Sequence, residues 1–313
     1  MAVFSALAAC AEAYAERMVC RLFRTAVVHS AQLALVSTAL AAAFPHRALG
    51  ETLPKSLSIK TCNYSSAGSH ADCGCHGGNF VVRSFVGGPR AADVARHCEA
   101  TCSQLSREVF GLKQSARWNP KCVVVLHSTK SSYLTAVGDN GAQTIGSSTI
   151  SLSGGRVTGR RIDLLAAEAD KGLAALPHEL VHVLFVDAFP TSAPPKWAEE
   201  GLALVMDPAD KQARHRRDLT VALRTRNTLP ISRLLSDESY PALAQRAAFY
   251  GQSLSLVEYL MQQAPPAEFV RFVKLSVELG TERALANVYR IKADQLERDW
   301  RLYVTSTSLA AVP

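Results

Sequence analysis

Leu176-Pro-His-Glu-Leu-Val-His-Val-Leu-Phe-Val-Asp-Ala188 is the stretch from which the rest of the chain is read. Val181, Val183, Leu184 and Val186 supply apolar faces to a buried helix. Pro177 suits its first turn, where a missing N–H costs nothing. Positions i and i+4 share one helix face, so the imidazoles of His178 and His182 can reach a single metal ion. Glu179, one residue along, can lean toward a water at that ion rather than toward the ion itself. Chance puts His-Glu-x-x-His into roughly one chain in a hundred of this composition, so the neighbourhood has to decide.

Downstream, Trp197-Ala-Glu-Glu-Gly201 stands where a third ligand is expected. Adjacent helix positions point about 100° apart, so only one of Glu199 and Glu200 can face the metal. Gly201 removes a side chain and is expected to let this helix pack close to the metal helix. The plain alternative is a buried helix whose two histidines are merely hydrogen-bonded, and this second motif weighs against it.

Composition bounds the class. The chain is 48% apolar and 19% charged, enough for a real core. Its net charge of +7 includes a basic run at residues 211–217, but no aromatics interleave with it. That run reads as the solvated face of a helix, so no nucleic-acid partner is expected.

Residues 1–44 read as an export signal. Met18-Val-Cys-Arg-Leu-Phe-Arg24 is a basic start, with Met18 a candidate initiator, and residues 31–43 form a 13-residue stretch without charge. Ala39-Leu-Ala41 offers a cleavage site. Left uncleaved, the apolar stretch 25–44 is long enough to anchor the chain in a membrane. Beyond it lie six cysteines, Cys62, Cys73, Cys75, Cys98, Cys102 and Cys122. An even number in an exported chain predicts disulfides, in a pairing that 15 possibilities leave open.

Residues 45–78, rich in Cys, Gly and Ser, read as irregular, with Cys73-Gly-Cys-His76 as part of a disulfide loop. An α/β lobe follows over residues 79–187: a strand at 80–86, a helix at 91–110, a buried strand at 122–127 and a short helix at 131–137. His127, at a strand end, reads as a packed histidine. Residues 144–152 and 156–164 flank Gly154-Gly155 and predict a hairpin. An edge strand there can pair with an extended peptide or simply complete the sheet. A helical lobe, residues 188–313, carries helices at 196–207, 219–225, 243–263, 266–279 and 282–305, with a stop at Gly280. The fold class expected is α+β, with the metal helix at the junction of the lobes.

These motifs together resemble the gluzincin metallopeptidases, specifically the peptidase-MA-like proteins related to the aminopeptidase N clan. The resemblance spans residues 80–304 in element order and is specific at His178-Glu-Leu-Val-His182, Trp197-Ala-Glu-Glu-Gly201 and Tyr250-Gly-Gln-Ser253. It implies a zincin-like metalloprotease fold and one catalytic zinc ion held by His178, His182 and Glu200. Glu200 is the residue directly before the motif's glycine, and 17 residues separate it from His182, one fewer than in the aminopeptidase N pattern. Glu199 is its rival. The resemblance also makes Glu179 the general base and Tyr250 the catalytic tyrosine, although Gly251-Gln-Ser253 departs from the group's Tyr-Glu-Lys-Gly pattern. His215 is a second candidate for the tyrosine's role, because thermolysin-like gluzincins use a histidine.

One absence narrows the activity. Aminopeptidases of that clan carry a Gly-x-Met-Glu-Asn strand whose Glu binds the substrate's free amine. Here residues 146–164 hold no carboxylate before Asp163, and Arg160 and Arg161 stand beside it. The expected function is therefore an exported zinc endopeptidase with peptide or protein substrates. The alternatives are a non-catalytic zinc-bound module that binds a peptide or surface partner, and a zinc hydrolase of a non-peptide amide.

Overall fold

The computed structural model describes residues 73–310 apart from 85–87, 114–116, 167–168, 190–191 and 238. The α+β class holds: a small mixed sheet comes first and a mainly helical part follows. Strands β1 (Cys73–His76), β2 (Phe80–Ser84), β3 (Cys122–His127), β4 (Gly146–Ser153) and β5 (Arg156–Leu165) lie in the order β1-β2-β3-β5-β4. β3 is parallel to both its neighbours, and both outer pairings are antiparallel. Parallel neighbours need crossovers. Helix α1 (Gly88–Glu108) makes the first, and α2 (Lys130–Val137) with β4 makes the second.

The local chemistry explains these elements. β3 is a valine-rich run buried on both faces, as a central parallel strand requires. Gly154 and Gly155 both take positive φ, 56° and 73°, the turn whose twist matches the strands it joins. The resulting hairpin leaves β4 at the sheet's edge, with its outer half exposed.

The helical part comprises α3 (Ala169–Ala174), α4 (Leu176–Ala188), α5 (Lys196–Val205), α6 (Ala209–Arg224), α7 (Ile231–Ser236), α8 (Arg246–Gln263), α9 (Pro266–Leu279), α10 (Thr281–Val288) and α11 (Ala293–Ala310). α4 is the metal-helix candidate. It buries Leu176, Leu180, Val181, Val183, Leu184 and Phe185 against the sheet and its flanking helices. α5 is anchored by Trp197, 1% exposed, whose indole meets the Phe269 ring of α9 edge-on at 6.0 Å.

Several expectations fail for physical reasons. Part of the segment read as irregular is strand β1, whose backbone pairs with β2; its Cys and Gly content hid that. The single helix expected over 282–305 is two, α10 and α11, broken where Arg290 takes φ 61°. No Gly or Pro marks that break. Beside it, Tyr289 packs edge-on to Phe272 at 5.4 Å. α6 joins the basic run at 211–217, read as a helix face, to the helix expected at 219–225 in one continuous helix.

Cys98, Cys102 and Cys122 are buried free thiols, so the disulfide expectation fails at these three. They serve as small apolar residues of the core, and burial pushes the Cys102 and Cys122 thiols up to about 12. Cys62 and the side chains of Cys73 and Cys75 lie outside the described residues, as does the expected signal at 1–44. Among the described residues, no helix is long and apolar enough to cross a membrane.

Gly201 has a different partner from the one expected. A Cβ there would lie 2.5 Å from the Ser253 carbonyl oxygen and 2.6 Å from Val257 Cγ2, so at this glycine it is α8, and not the metal helix, that comes closest to α5. Gly251 plays the same part between α8 and α6, where a Cβ would meet the His215 carbonyl oxygen at 2.6 Å. Gly201→Ala is therefore expected to destabilise the fold by about 1–3 kcal/mol in urea denaturation. An unchanged midpoint would show that the crossing relaxes freely.

Candidate metal centre

One ligand atom from each of His178, His182 and Glu200 lies within 4.8 Å of the others. The two histidines come from adjacent turns of α4, their rings 5.1 Å apart, and Glu200 comes from α5, which packs on α4. Of the two candidate glutamates, Glu200 joins the imidazoles. Two nitrogen donors and one carboxylate oxygen, converging from rigid helices, are a donor set that suits zinc.

Glu199 is turned to another task. Its Oε1 lies 3.0 Å from Nδ1 of His182, and Lys196 Nζ donates to its Oε2 at 2.6 Å. A parallel arrangement serves the other ring. Nδ1 of His178 lies 3.2 Å from Oδ2 of Asp207, and Lys211 Nζ stands 2.9 Å from the same oxygen. Each imidazole thus has a carboxylate beside Nδ1, within hydrogen-bond geometry at His182 and at ion-pair distance alone at His178, which leaves Nε2 as the nitrogen turned away from these carboxylates. Partners of this kind fix ring orientation and raise ligand basicity.

The electrostatics favour a cation. Burial alone would lower the His182 imidazole, but the Glu199 hydrogen bond and the charges of Glu200, Glu199 and Glu179 raise it to about 9. Burial opposes ionisation of Glu199, yet His182 and Lys196 bring it down to about 2. Asp207, 1% exposed, is likewise held below its ordinary range by His178 and Lys211 against its burial.

Glu179 is buried, stands outside the three-ligand cluster, and is close enough for its charge to act on His182. It also meets the edge strand. A Cβ on Gly146, the first residue of β4, would lie 2.9 Å from Glu179 Oε1 and 2.9 Å from the Ala175 side chain. Only a glycine lets the strand start this close to that carboxylate.

Two tyrosines lie near Glu200. The Tyr240 hydroxyl donates to Glu200 Oε1, and burial together with the Glu200 charge pushes that phenol far up. Tyr250 is half-buried, packed on Tyr240 at 6.4 Å, Phe249 at 5.5 Å and His215 at 5.8 Å between ring centroids. Burial and then the Glu200 charge raise its phenol as well, opposed by Arg246. His215 is buried behind Tyr250, its imidazole lowered mainly by burial.

The other residues singled out lie apart from the three-ligand cluster. His127 is 4% exposed and its Nε2 sits 2.6 Å from Oδ1 of Asp163, which also accepts two hydrogen bonds from Arg161. In the basic run, Lys211 faces Asp207 and Arg216 pairs with the buried Glu258. Gln252, in the stretch after Tyr250 that departs from the expected pattern, holds the Leu229 backbone through both its amide atoms.

Asp207 and Tyr240 escaped the sequence reading. Asp207 directly precedes Pro208 and reads only as the last residue of the helix expected at 196–207; Tyr240 precedes Pro241 in a loop. Neither belongs to a spacing pattern.

No curated protein matches the chain. Residues 158–306, just under half of the chain and the region that holds His178, His182 and Glu200, match the family model described as the Peptidase MA superfamily, a likeness that supports a peptidase-MA-like family and a zincin-like fold.

Proposed function

We propose that the chain is an exported zinc endopeptidase in which His178, His182 and Glu200 hold the ion, Glu179 is the general base and Tyr250 steadies the developing oxyanion. The observation that carries this reading is the position of Glu179, beside the three convergent ligands but not among them. When bound, zinc would supply Lewis acidity and make an attacking water far more acidic than in bulk solvent. The Glu179 carboxylate takes the proton of the attacking water and hands it to the leaving amine nitrogen, a transfer worth roughly 10²–10⁴ in rate. Tyr250, kept protonated by burial and by Glu200, donates its hydroxyl to the scissile carbonyl oxygen as charge builds there.

An extended peptide would add to the free edge of β4, which begins against Glu179. Cleavage inside the chain rather than at its amino terminus is favoured by the absence of a carboxylate along β4. The first acidic residue of the hairpin, Asp163, is buried and already committed to Arg161 and His127. Export rests on the basic segment 18–24 and the uncharged stretch 31–43.

The test is digestion of a complex peptide library by the zinc-loaded protein, read by mass spectrometry, with Glu179→Gln as control. Internal cuts that vanish in the control support an endopeptidase. Cuts confined to termini overturn that assignment, and no cuts at all from zinc-loaded protein favour a binding module. The two tyrosines should separate in the same assay. Tyr250→Phe is expected to lower kcat roughly 10²-fold with KM little changed. Tyr240→Phe should act on zinc affinity instead, through Glu200.

A further inference from the structure

The cations around the candidate centre differ in what they face. Lys196 donates to Glu199 and Lys211 to Asp207, so each is matched by a carboxylate of the histidine supports. Arg246, the first residue of α8, is exposed and makes no ion pair among the described residues. Its guanidinium carbon lies 5.5 Å from the centre of the Tyr240 ring, over its face. That ring also has Lys196 Nζ at 5.8 Å, and its hydroxyl is on Glu200. The charge of Arg246 reaches the Tyr250 hydroxyl as well. An uncompensated guanidinium therefore stands beside both tyrosines that border the ligand set.

A guanidinium lying over an aromatic ring uses its face and leaves its in-plane N–H groups free. Those groups form a fork that fits a planar carboxylate with two parallel hydrogen bonds. Among the described residues, Glu200 lies in the three-residue cluster, Glu199 is held by His182 and Lys196, and Asp237 pairs with Arg233. We propose that Arg246 is a specificity-determining residue that binds a carboxylate of the substrate, so that the enzyme prefers peptides bearing a carboxylate near the scissile bond. The proposal rests on the peptidase reading of this site. The carboxylate has two possible sources, an acidic side chain or the free carboxyl terminus of a short peptide.

The experiment uses the zinc-loaded full chain and quenched fluorogenic peptides built on one sequence cut by the protein. One pair exchanges Glu for Gln at successive positions around the cleaved bond. A second pair carries a free or an amidated carboxyl terminus. The expected result is a preference of about tenfold in kcat/KM for the carboxylate-bearing member of one pair, the scale of a single charge-assisted hydrogen bond at a partly exposed site. The pair that shows it identifies the source. Arg246→Gln should bring that ratio close to one, and Arg246→Glu should invert it. A preference that survives Arg246→Gln, or no preference in either pair, overturns the proposal.

If no peptide is cut, the peptidase reading fails separately. Labelled peptides of one arbitrary sequence, paired in the same two ways, are then bound to the Glu179→Gln protein and followed by fluorescence anisotropy. A difference in Kd between pair members that disappears with Arg246→Gln sustains the recognition role, and equal Kd values reject it.

Discussion

Glu179→Gln is expected to leave zinc bound and to reduce turnover by roughly 10³-fold or more, the upper range for loss of a general base. The amide has nearly the same shape as the carboxylate, so the close contact with Gly146 and the start of β4 survive. What it lacks is a basic oxygen to accept the water's proton and an acidic form to give that proton to the leaving nitrogen. The convergent side chains of His178, His182 and Glu200 are untouched. Removing the Glu179 charge takes away one of three carboxylates that favour positive charge at His182, so zinc affinity should drift by only a few-fold. Bound zinc per chain, measured by elemental analysis after dialysis, and kcat on a cleaved peptide decide the matter. Zinc lost together with activity would make Glu179 a ligand and sink its assignment as base. Zinc and activity both retained would leave the chain without an identified base.

How much of this site is legible in the sequence depends on whether a residue lies on a repeating pattern. His178 and His182 are one turn apart on an apolar helix, and the geometry of a helix alone places them together. Glu200 is legible only through its glycine: Gly201 is needed where α5 crosses α8, and the carboxylate next to it inherits a fixed orientation. The partner helix was misjudged because a glycine reveals that something comes close, not what. Asp207 and Tyr240 are invisible to such reasoning. Each sits beside a proline at the end of an element, where local chemistry says turn, and each acquires its partner only when helices distant in sequence assemble. The same holds for Arg290, whose positive φ breaks a helix with no glycine or proline to announce it. Strand β1 shows the converse error, since a Gly- and Cys-rich composition argued against a strand that its neighbour β2 supplies with a ladder. The buried thiols of Cys98, Cys102 and Cys122 show the limit of counting: parity suggests pairs, whereas packing uses these three as core residues.

The second large effect is on the metal itself, and it separates Glu200 from its neighbour. Glu200→Ala removes one of three protein donors and is expected to weaken zinc binding beyond the roughly 10–100-fold typical of losing an outer partner. Glu199→Ala and Asp207→Asn should each fall within that range, because each leaves three donors in place and removes only the carboxylate that orients one imidazole. Both changes also leave a lysine, Lys196 or Lys211, without its counter-charge. Combining Glu199→Ala with Lys196→Met should therefore recover part of the folding stability but none of the zinc affinity. Chelator competition at fixed pH gives the affinities, and circular dichroism of the metal-free proteins confirms that each variant is folded. If Glu199→Ala proved more damaging than Glu200→Ala, the two carboxylates would exchange roles. Tyr240 would then be bonded to a supporting group, not to a ligand. That ordering of affinities is decisive because the two side chains are adjacent on one helix. Local helix content and burial are nearly the same for both, so a difference between them reports which carboxylate meets the ion.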